Sequence, residues 1–240
     1  MNHPFLTVHR RPRVAILATG DEVVMPGEPL GPGQIVSSNG LALAALVRRH
    51  GGIPVNLGIA PDDAGALATL AKGAAGCDLL VTTGGASAGE YDLVRGGLGA
   101  QGLELDFWKI AMRPGKPLLF GRMGGTPLLG LPGNPVSSLV CAILFLVPVL
   151  RRLQGLAPAE PPRGRAVLAN ALPANDRRQD YLRATLMAGD GTLPHAATFP
   201  QQDSSMLSRL AAADCLVIRP PHAPAADAGA VVDIIPLDGI

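Results

Sequence analysis

The chain has 240 residues, enough for one large domain or for a mid-sized domain with a small one beside it. Its composition, 48% hydrophobic, 16% charged and 3% aromatic, is that of a soluble globular protein whose core is built from Val, Leu, Ile and Ala. A formal net charge of +1 gives no general electrostatic reason to bind nucleic acid or an anionic membrane, so any anion must be held by a local cluster of donors.

Cys77, Cys141 and Cys215 stand apart from one another, with no spacing that suggests zinc and an odd count that argues against a disulfide framework. They read as small buried residues of a protein kept in a reducing, cytoplasmic compartment. The start runs through basic Arg10-Arg11-Pro12-Arg13 rather than an apolar signal segment. The longest apolar run, Leu139 to Leu150, is too short for a bilayer and contains Pro148, so it reads as a buried helix.

Val14 to Ala18 is an apolar run ended by Thr19-Gly20-Asp21, a buried strand followed by a turn. Leu41 to Arg49 has helical spacing, with Asn39 as its expected N-cap and Gly51-Gly52 as its stop. Ile53 to Ile59 is the next strand, and Pro61-Asp62-Asp63 opens a second helix to about Ala75. Asp78 to Thr83 is a third strand, running into Gly84-Gly85. Alternation at this spacing predicts parallel βαβ units, an α/β sheet covered by helices on both faces.

After Leu103 the pattern changes. Leu103 to Lys109, Pro117 to Arg122 and Pro127 to Leu131 are strand candidates between Pro- and Gly-rich turns. Pro135 to about Leu153 is a long helix expected to bend or break at Pro148. Gly155 to Pro162 is a Pro/Ala-rich linker. Beyond it Arg165 to Ala169, Tyr181 to Met187, Leu216 to Ile218 and Val231 to Pro236 predict a small, mostly β domain.

Ligands of parallel α/β sheets collect at the carboxyl ends of the strands. There the sequence places Thr19-Gly20-Asp21-Glu22, Asp62-Asp63, Thr83-Gly84-Gly85-Ala86-Ser87-Ala88-Gly89-Glu90-Tyr91-Asp92, Lys109, Arg113-Pro114-Gly115-Lys116-Pro117 and Leu131-Pro132-Gly133-Asn134-Pro135-Val136-Ser137. Glycines that turn backbone N–H groups inward, hydroxyls, cations and carboxylates together suit a phosphate ester with a metal. The Gly-rich loop has neither Walker nor Rossmann spacing. Taken singly, each piece also reads as an ordinary turn, helix start or solvated lysine; their joint placement carries the inference.

In order and spacing these segments, with Ser38-Asn39, resemble the molybdopterin molybdenumtransferases, the MoeA family that includes the gephyrin E domain. The likeness extends more weakly through Arg178-Gln179-Asp180-Tyr181 and Gln202-Asp203-Ser204-Ser205-Met206-Leu207. The resemblance implies a three-layer MogA-like molybdopterin-binding domain over 12–154 with a mostly parallel sheet. A linker would follow at 155–162, then a small β-barrel-like domain over 163–240. It further implies Mg²⁺-dependent insertion of molybdate into adenylylated molybdopterin with release of AMP. Ser87 with Gly84-Gly85 would cradle the pterin-side phosphate. Glu22, Asp62 and Asp92 would supply acidic chemistry, with Asp62 and Asp92 as metal ligands. Lys109, Arg113 and Lys116 would steady phosphates and molybdate. Thr19, Gly20, Asp21, Ser38, Asn39, Thr83, Gly89, Pro132, Gly133, Asn134, Pro135 and Ser137 would complete the substrate site, with Arg178 and Ser204 reaching it from the β domain.

Asp203 departs from the family's frequent Gly, and a carboxylate pointing inward there would weaken anion binding. Family members carry two further domains ahead of the region equivalent to Arg10, so 1–11 reads as the tail of that part. The homodimer of full-length relatives is expected to be weaker here. Two other readings stay open: a molybdopterin adenylyltransferase, which shares the Gly-Gly loop fold, and a non-catalytic molybdopterin-binding or scaffold module. The appended β domain and the Leu131–Ser137 segment weigh against the first.

Overall fold

β1 (Arg13–Thr19) is the hub of the first unit: it pairs in parallel with β4 (Ile53–Ala60) on one side and β5 (Leu79–Thr83) on the other. A strand flanked on both edges and covered on both faces must be apolar throughout, and β1 is buried from Val14 to Thr19. The structure is a computed structural model, and it describes residues 3–84, 94, 96–99, 102–189 and 191–238. β2 (Val23–Val24) and β3 (Ile35–Val36) form a separate two-stranded ribbon just beyond β1.

The sheet continues from β5 to β9 (Thr126–Leu131) in parallel, then to β8 (Leu119–Met123) and β6 (Leu103–Trp108) in antiparallel fashion. Its order is β4-β1-β5-β9-β8-β6. The reversal has a local cause: β8 and β9 are joined by Gly124-Gly125, both at positive φ, a pair that closes a tight hairpin. Alternating side chains then divide the core. Val14, Ile16, Leu79 and Val81 pack with α1 (Asn39–Arg49) and α3 (Pro135–Leu153). Ala15, Leu17 and Leu80 pack on the other face with Leu67 and Ala71 of α2 (Ala64–Ala71). The expected helix–sheet–helix layering is therefore present.

Two helix expectations need correction. Asn39 is not the cap of α1 but its first residue; Ser38 precedes the helix and makes no side-chain cap bond. The Asn39 amide is engaged across the strand ends instead. The second concerns Pro148. α3 neither breaks nor ends there: one turn upstream, Ala142–Leu146 widens into a π-helical segment, after which Val147–Leu153 resumes the α-helix. Proline lacks an N–H and crowds the carbonyl four residues back, and a widened preceding turn accommodates both. At Pro135–Leu153 this helix is long and apolar enough to cross a bilayer by length and composition. In the fold, Val136, Val140, Leu146 and Leu150 are buried in a core shared with the sheet and with Leu210, Leu216, Ile218 and Ile235 of the second unit.

That second unit is a closed barrel of β10 (Gly164–Leu168), β11 (Gln179–Met187), β12 (His195–Thr198), β13 (Cys215–Arg219) and β14 (Val231–Pro236). Its strands run β12-β10-β14-β13-β11, and β11 pairs back to β12. Sequence patterning missed β12 and the short α4 (Leu207–Ala211). Four residues, two of them alanine, carry little strand signal of their own; pairing on both edges makes His195–Thr198 a strand. The two units also share a ladder, because β7 (Met112–Arg113) pairs in parallel with Gln179 and Asp180 of β11.

Candidate functional site

The carboxyl ends of β1, β5 and β9 open into a cleft of about 950 Å³, roofed on one side by the barrel. Its first wall is made of turns. Gly84 sits at φ 86°, and a Cβ there would collide with the Thr19 carbonyl, so only glycine lets the β5 turn close against β1. Gly133 lies against Gly84 from the next strand end. Asn39 locks this floor: its amide nitrogen donates to Thr83 Oγ1 (2.8 Å) and to the Gly133 carbonyl (2.7 Å). Thr83 Oγ1 also lies 3.4 Å from Ser138 Oγ. Thr19 Oγ1 and Asn39 Oδ1 are buried here with no hydrogen-bond partner. Buried polar atoms without partners are costly, which makes the strand-end floor chemically unsaturated.

The barrel supplies the second wall through Arg178, just before β11, and through the loop Gln202 to Ser205. Arg183, 1% exposed on β11, makes no ion pair with a carboxylate among the described residues and donates instead to Gln202 Oε1 (3.0 Å) and the Asp203 carbonyl (2.8 Å). Gln202 returns its amide to the carbonyls of Arg183 and Phe199. Burial holds the Arg183 guanidinium below its usual pKa, with the Asp203 charge acting in opposition. The anchored loop brings Ser204 Oγ to Asn134 Nδ2 (2.8 Å), while the Ser204 carbonyl accepts from Val136 N (3.1 Å) in the first turn of α3. Asp203 lines the cleft, but its carboxylate is turned onto Ser205, accepting from the backbone N–H and hydroxyl. Those two bonds hold its pKa below the ordinary carboxylate value.

Charge in the cleft comes from Arg113, Lys116 and Arg178 against Glu22 and Asp203, among the described residues. Arg113 and Arg178 are paired to Asp176, and Arg113 also approaches Asp180 at 3.5 Å. The side-chain and backbone bonds from Arg178, aided by Arg113, press the Asp176 pKa well below the usual range. Burial pushes Asp180 the other way, with Arg113 opposing.

The residues singled out from sequence fall into three groups. Thr19, Glu22, Ser38, Asn39, Thr83, Gly84, Arg113, Lys116, Pro132, Gly133, Asn134, Pro135, Ser137, Arg178 and Ser204 all line the cleft. Gly20, Asp21, Asp62 and Lys109 do not. Gly20 N donates to the Ala60 carbonyl and Asp62 N to Asp21 Oδ1 (2.9 Å), so these residues tie the turns after β1 and β4 to each other. Lys109, at φ 70°, lays its ammonium over the Trp108 ring, 3.5 Å from the centroid, at the far edge of the sheet. Gly85, Ser87, Gly89 and Asp92 lie outside the described residues. Sequence reasoning overlooked Ile35, Val36, Ser37 and Met112, which also line the cleft. An exposed apolar pair, Ile35-Val36, isolated among Gly and Pro, was the available signal.

A mostly parallel sheet whose strand ends form a cleft of glycines, hydroxyls and cations defines an α/β protein with a strand-end ligand site. Residues 15–152 match the family described as "Probable molybdopterin binding domain", and the chain belongs to that family. Residues 165–237 match the MoeA C-terminal region, domain IV. Among curated proteins the chain is 40% identical over 222 residues to the molybdopterin molybdenumtransferase of a Nostoc species, covering 90% of this chain and 51% of that protein. To the Haemophilus influenzae molybdopterin molybdenumtransferase it is 32% identical over 232 residues, covering 96% and 57%. It superposes on the crystal structure of a Pyrococcus horikoshii MoeA protein with a TM-score of 0.81 at 32% identity, over 96% of this chain and 55% of that one. The chain thus spans about half the length of the curated relatives it matches.

Proposed function

We propose that this chain forms the substrate-binding part of a molybdopterin molybdenumtransferase, taking adenylylated molybdopterin and molybdate in the strand-end cleft and releasing AMP. The observation that carries this reading is the convergence of Arg113, Lys116, Arg178 and Ser204 on one cleft from two units of the fold. A phosphoanhydride or a tetrahedral oxyanion needs neutralised charge and fixed donors more than a strong nucleophile. The three cations would bear that charge, Ser204 and Ser137 would donate hydroxyls, and the first turn of α3 would face negative charge with its positive dipole end. Thr19, Asn39 and Gly84 would hold the ligand against the floor. The barrel's share of the cleft, Arg178 with Gln202 to Ser205, favours insertion over adenylylation.

Mg²⁺ would neutralise phosphate charge and order water. The donors fit it only in part: no three carboxylate, imidazole or thiol groups gather as a cage among the described residues, and Glu22 is the sheet carboxylate lining the cleft. Asp62 stands exposed on the adjoining turn and its expected co-ligand Asp92 is outside the described residues. The roles given to protein groups therefore do not run through the ion. We expect a cytoplasmic chain that self-associates more weakly than its longer relatives, a point for sedimentation.

Titration calorimetry with adenylylated molybdopterin, with and without Mg²⁺, followed by an assay of molybdate-dependent AMP release, tests the reading. Saturable binding with AMP release supports it. Binding without release, even when a longer relative is added, would favour a binding module, and ATP-dependent adenylylation of molybdopterin would favour the adenylyltransferase. No binding by a folded chain removes the cleft from consideration.

A further inference from the structure

Arg113 and Arg178 reach the cleft from different units, one from β7 and one from the loop before β11. Two guanidinium groups brought together repel unless a carboxylate lies between them. Asp176 is that carboxylate: its Oδ2 accepts from Arg113 Nη2 at 2.5 Å and Arg178 Nη2 at 2.9 Å, and its Oδ1 accepts from the Arg178 backbone N–H at 2.8 Å. Asp176 is not among the cleft-lining residues, so it holds the two arginines from behind.

The loop that carries Asp176 is itself fixed. The Asn175 amide nitrogen donates to the carbonyls of Arg178 (2.7 Å), Arg219 (3.0 Å) and Pro220 (2.9 Å), and Asn175 Oδ1 accepts from Asp176 N (2.9 Å). His222 N donates to the Asp176 carbonyl at 2.7 Å. The β7–β11 ladder sets Arg113 opposite Asp180, whose Oδ2 lies 3.5 Å from Arg113 Nη1. Arg113 and Arg178 line the cleft while sharing the single carboxylate of Asp176. Guanidinium N–H groups that Asp176 does not take suit an oxyanion with several acceptor oxygens.

We propose that Asp176 is a positioning residue that assembles Arg113 and Arg178 into a single two-armed clamp for a tetrahedral oxyanion. This rests on the reading that the cleft takes an oxyanion. Charge alone and positioning predict opposite signs for the same substitution. Asp176→Asn adds one positive charge beside the cleft, which by Coulomb attraction alone would tighten an anion; loss of the clamp geometry would loosen it.

The test is calorimetric titration of the full chain with molybdate at constant ionic strength, with sulfate and phosphate as companion oxyanions. Asp176→Asn should weaken molybdate binding about fivefold or more despite its added charge, with the chain still fully folded at the titration temperature. Asp176→Glu, which restores the carboxylate, should recover most of that loss. Asp233→Asn makes the same charge change on β14, away from the cleft, and should leave affinity as it was. Equal or tighter binding by Asp176→Asn, or no recovery by Asp176→Glu, overturns the clamp while leaving the cleft intact. Absence of saturable oxyanion binding by the unaltered chain overturns the reading of the cleft, and the clamp with it.

Discussion

The two walls of the cleft are built by opposite means. On the sheet side, short turns press backbone against backbone, as where Gly84 meets Thr19 and Gly133. On the barrel side, long side chains are steered by hydrogen bonds whose anchors lie deeper in the fold, as where Arg183 holds Gln202 and the Asp203 carbonyl. The first wall is fixed by steric exclusion and the second by polar networks. They should therefore fail in different ways, the first by clash and the second by lost donors.

Gly84→Val should produce the largest effect. Its Cβ would run into the Thr19 carbonyl at a backbone angle that branched residues rarely adopt. Denaturant unfolding should show a loss of roughly 3 kcal/mol or more. A near-neutral result would mean that the two strand ends are not pressed together. Arg183→Met should come next. It takes the guanidinium from the Asp203 carbonyl and leaves Gln202 Oε1 with the Arg183 backbone N–H alone, and we expect roughly 2–4 kcal/mol of destabilisation with weakened oxyanion binding. Stability lost with binding retained would separate the loop from the cleft.

Asn39→Ala removes the bonds to Thr83 and Gly133 and should cost about 1–2 kcal/mol, read by the same unfolding experiment. Since that bridge spans two strand ends, its loss should also lower ligand affinity. Asp180 sharpens the comparison through pH. Burial raises its pKa in the fold, so the native state binds its proton more readily than the unfolded chain does. Stability from this group is complete below the unfolded value of about 3.9 and is lost as the pH rises through the folded one. Asp180→Asn should accordingly raise the denaturation midpoint at pH 7 and leave it unchanged near pH 3. A gain at both values would point to a cause other than ionisation. Asp176 runs the other way, its contribution present above the ordinary carboxylate value and lost as the pH falls.

The smallest effect belongs to Asp203. With its carboxylate turned onto Ser205, its charge reaches the cleft only through solvent, and Asp203→Asn should tighten oxyanion binding by roughly twofold. A tenfold gain would mean that the carboxylate points inward when ligand is present.

The β1 and β5 strands were legible because each is an apolar run bounded by Gly, Pro or Asp, and a strand covered on both faces leaves no polar alternation to confuse the pattern. The turns at Thr19, Thr83 and Leu131 were legible because glycine and proline mark the positions where backbone must turn. Less could be read from local pattern where a neighbour decides the outcome. β12 is a strand because of what flanks it, and the π-helical turn before Pro148 keeps α3 continuous where composition pointed to a bend or a break.

By itself, then, the sequence determined the order of the elements, the apolar faces, and which turns gather at the carboxyl end of the sheet, because periodicity and turn chemistry act over a few residues. Only the tertiary structure decided that Asn39 bridges strand ends rather than capping its helix, and that Asp176 meets Arg113 across the two units. Those outcomes turn on groups distant in the chain, and a hydrogen bond or an ion pair is set by where the packed core places its two ends.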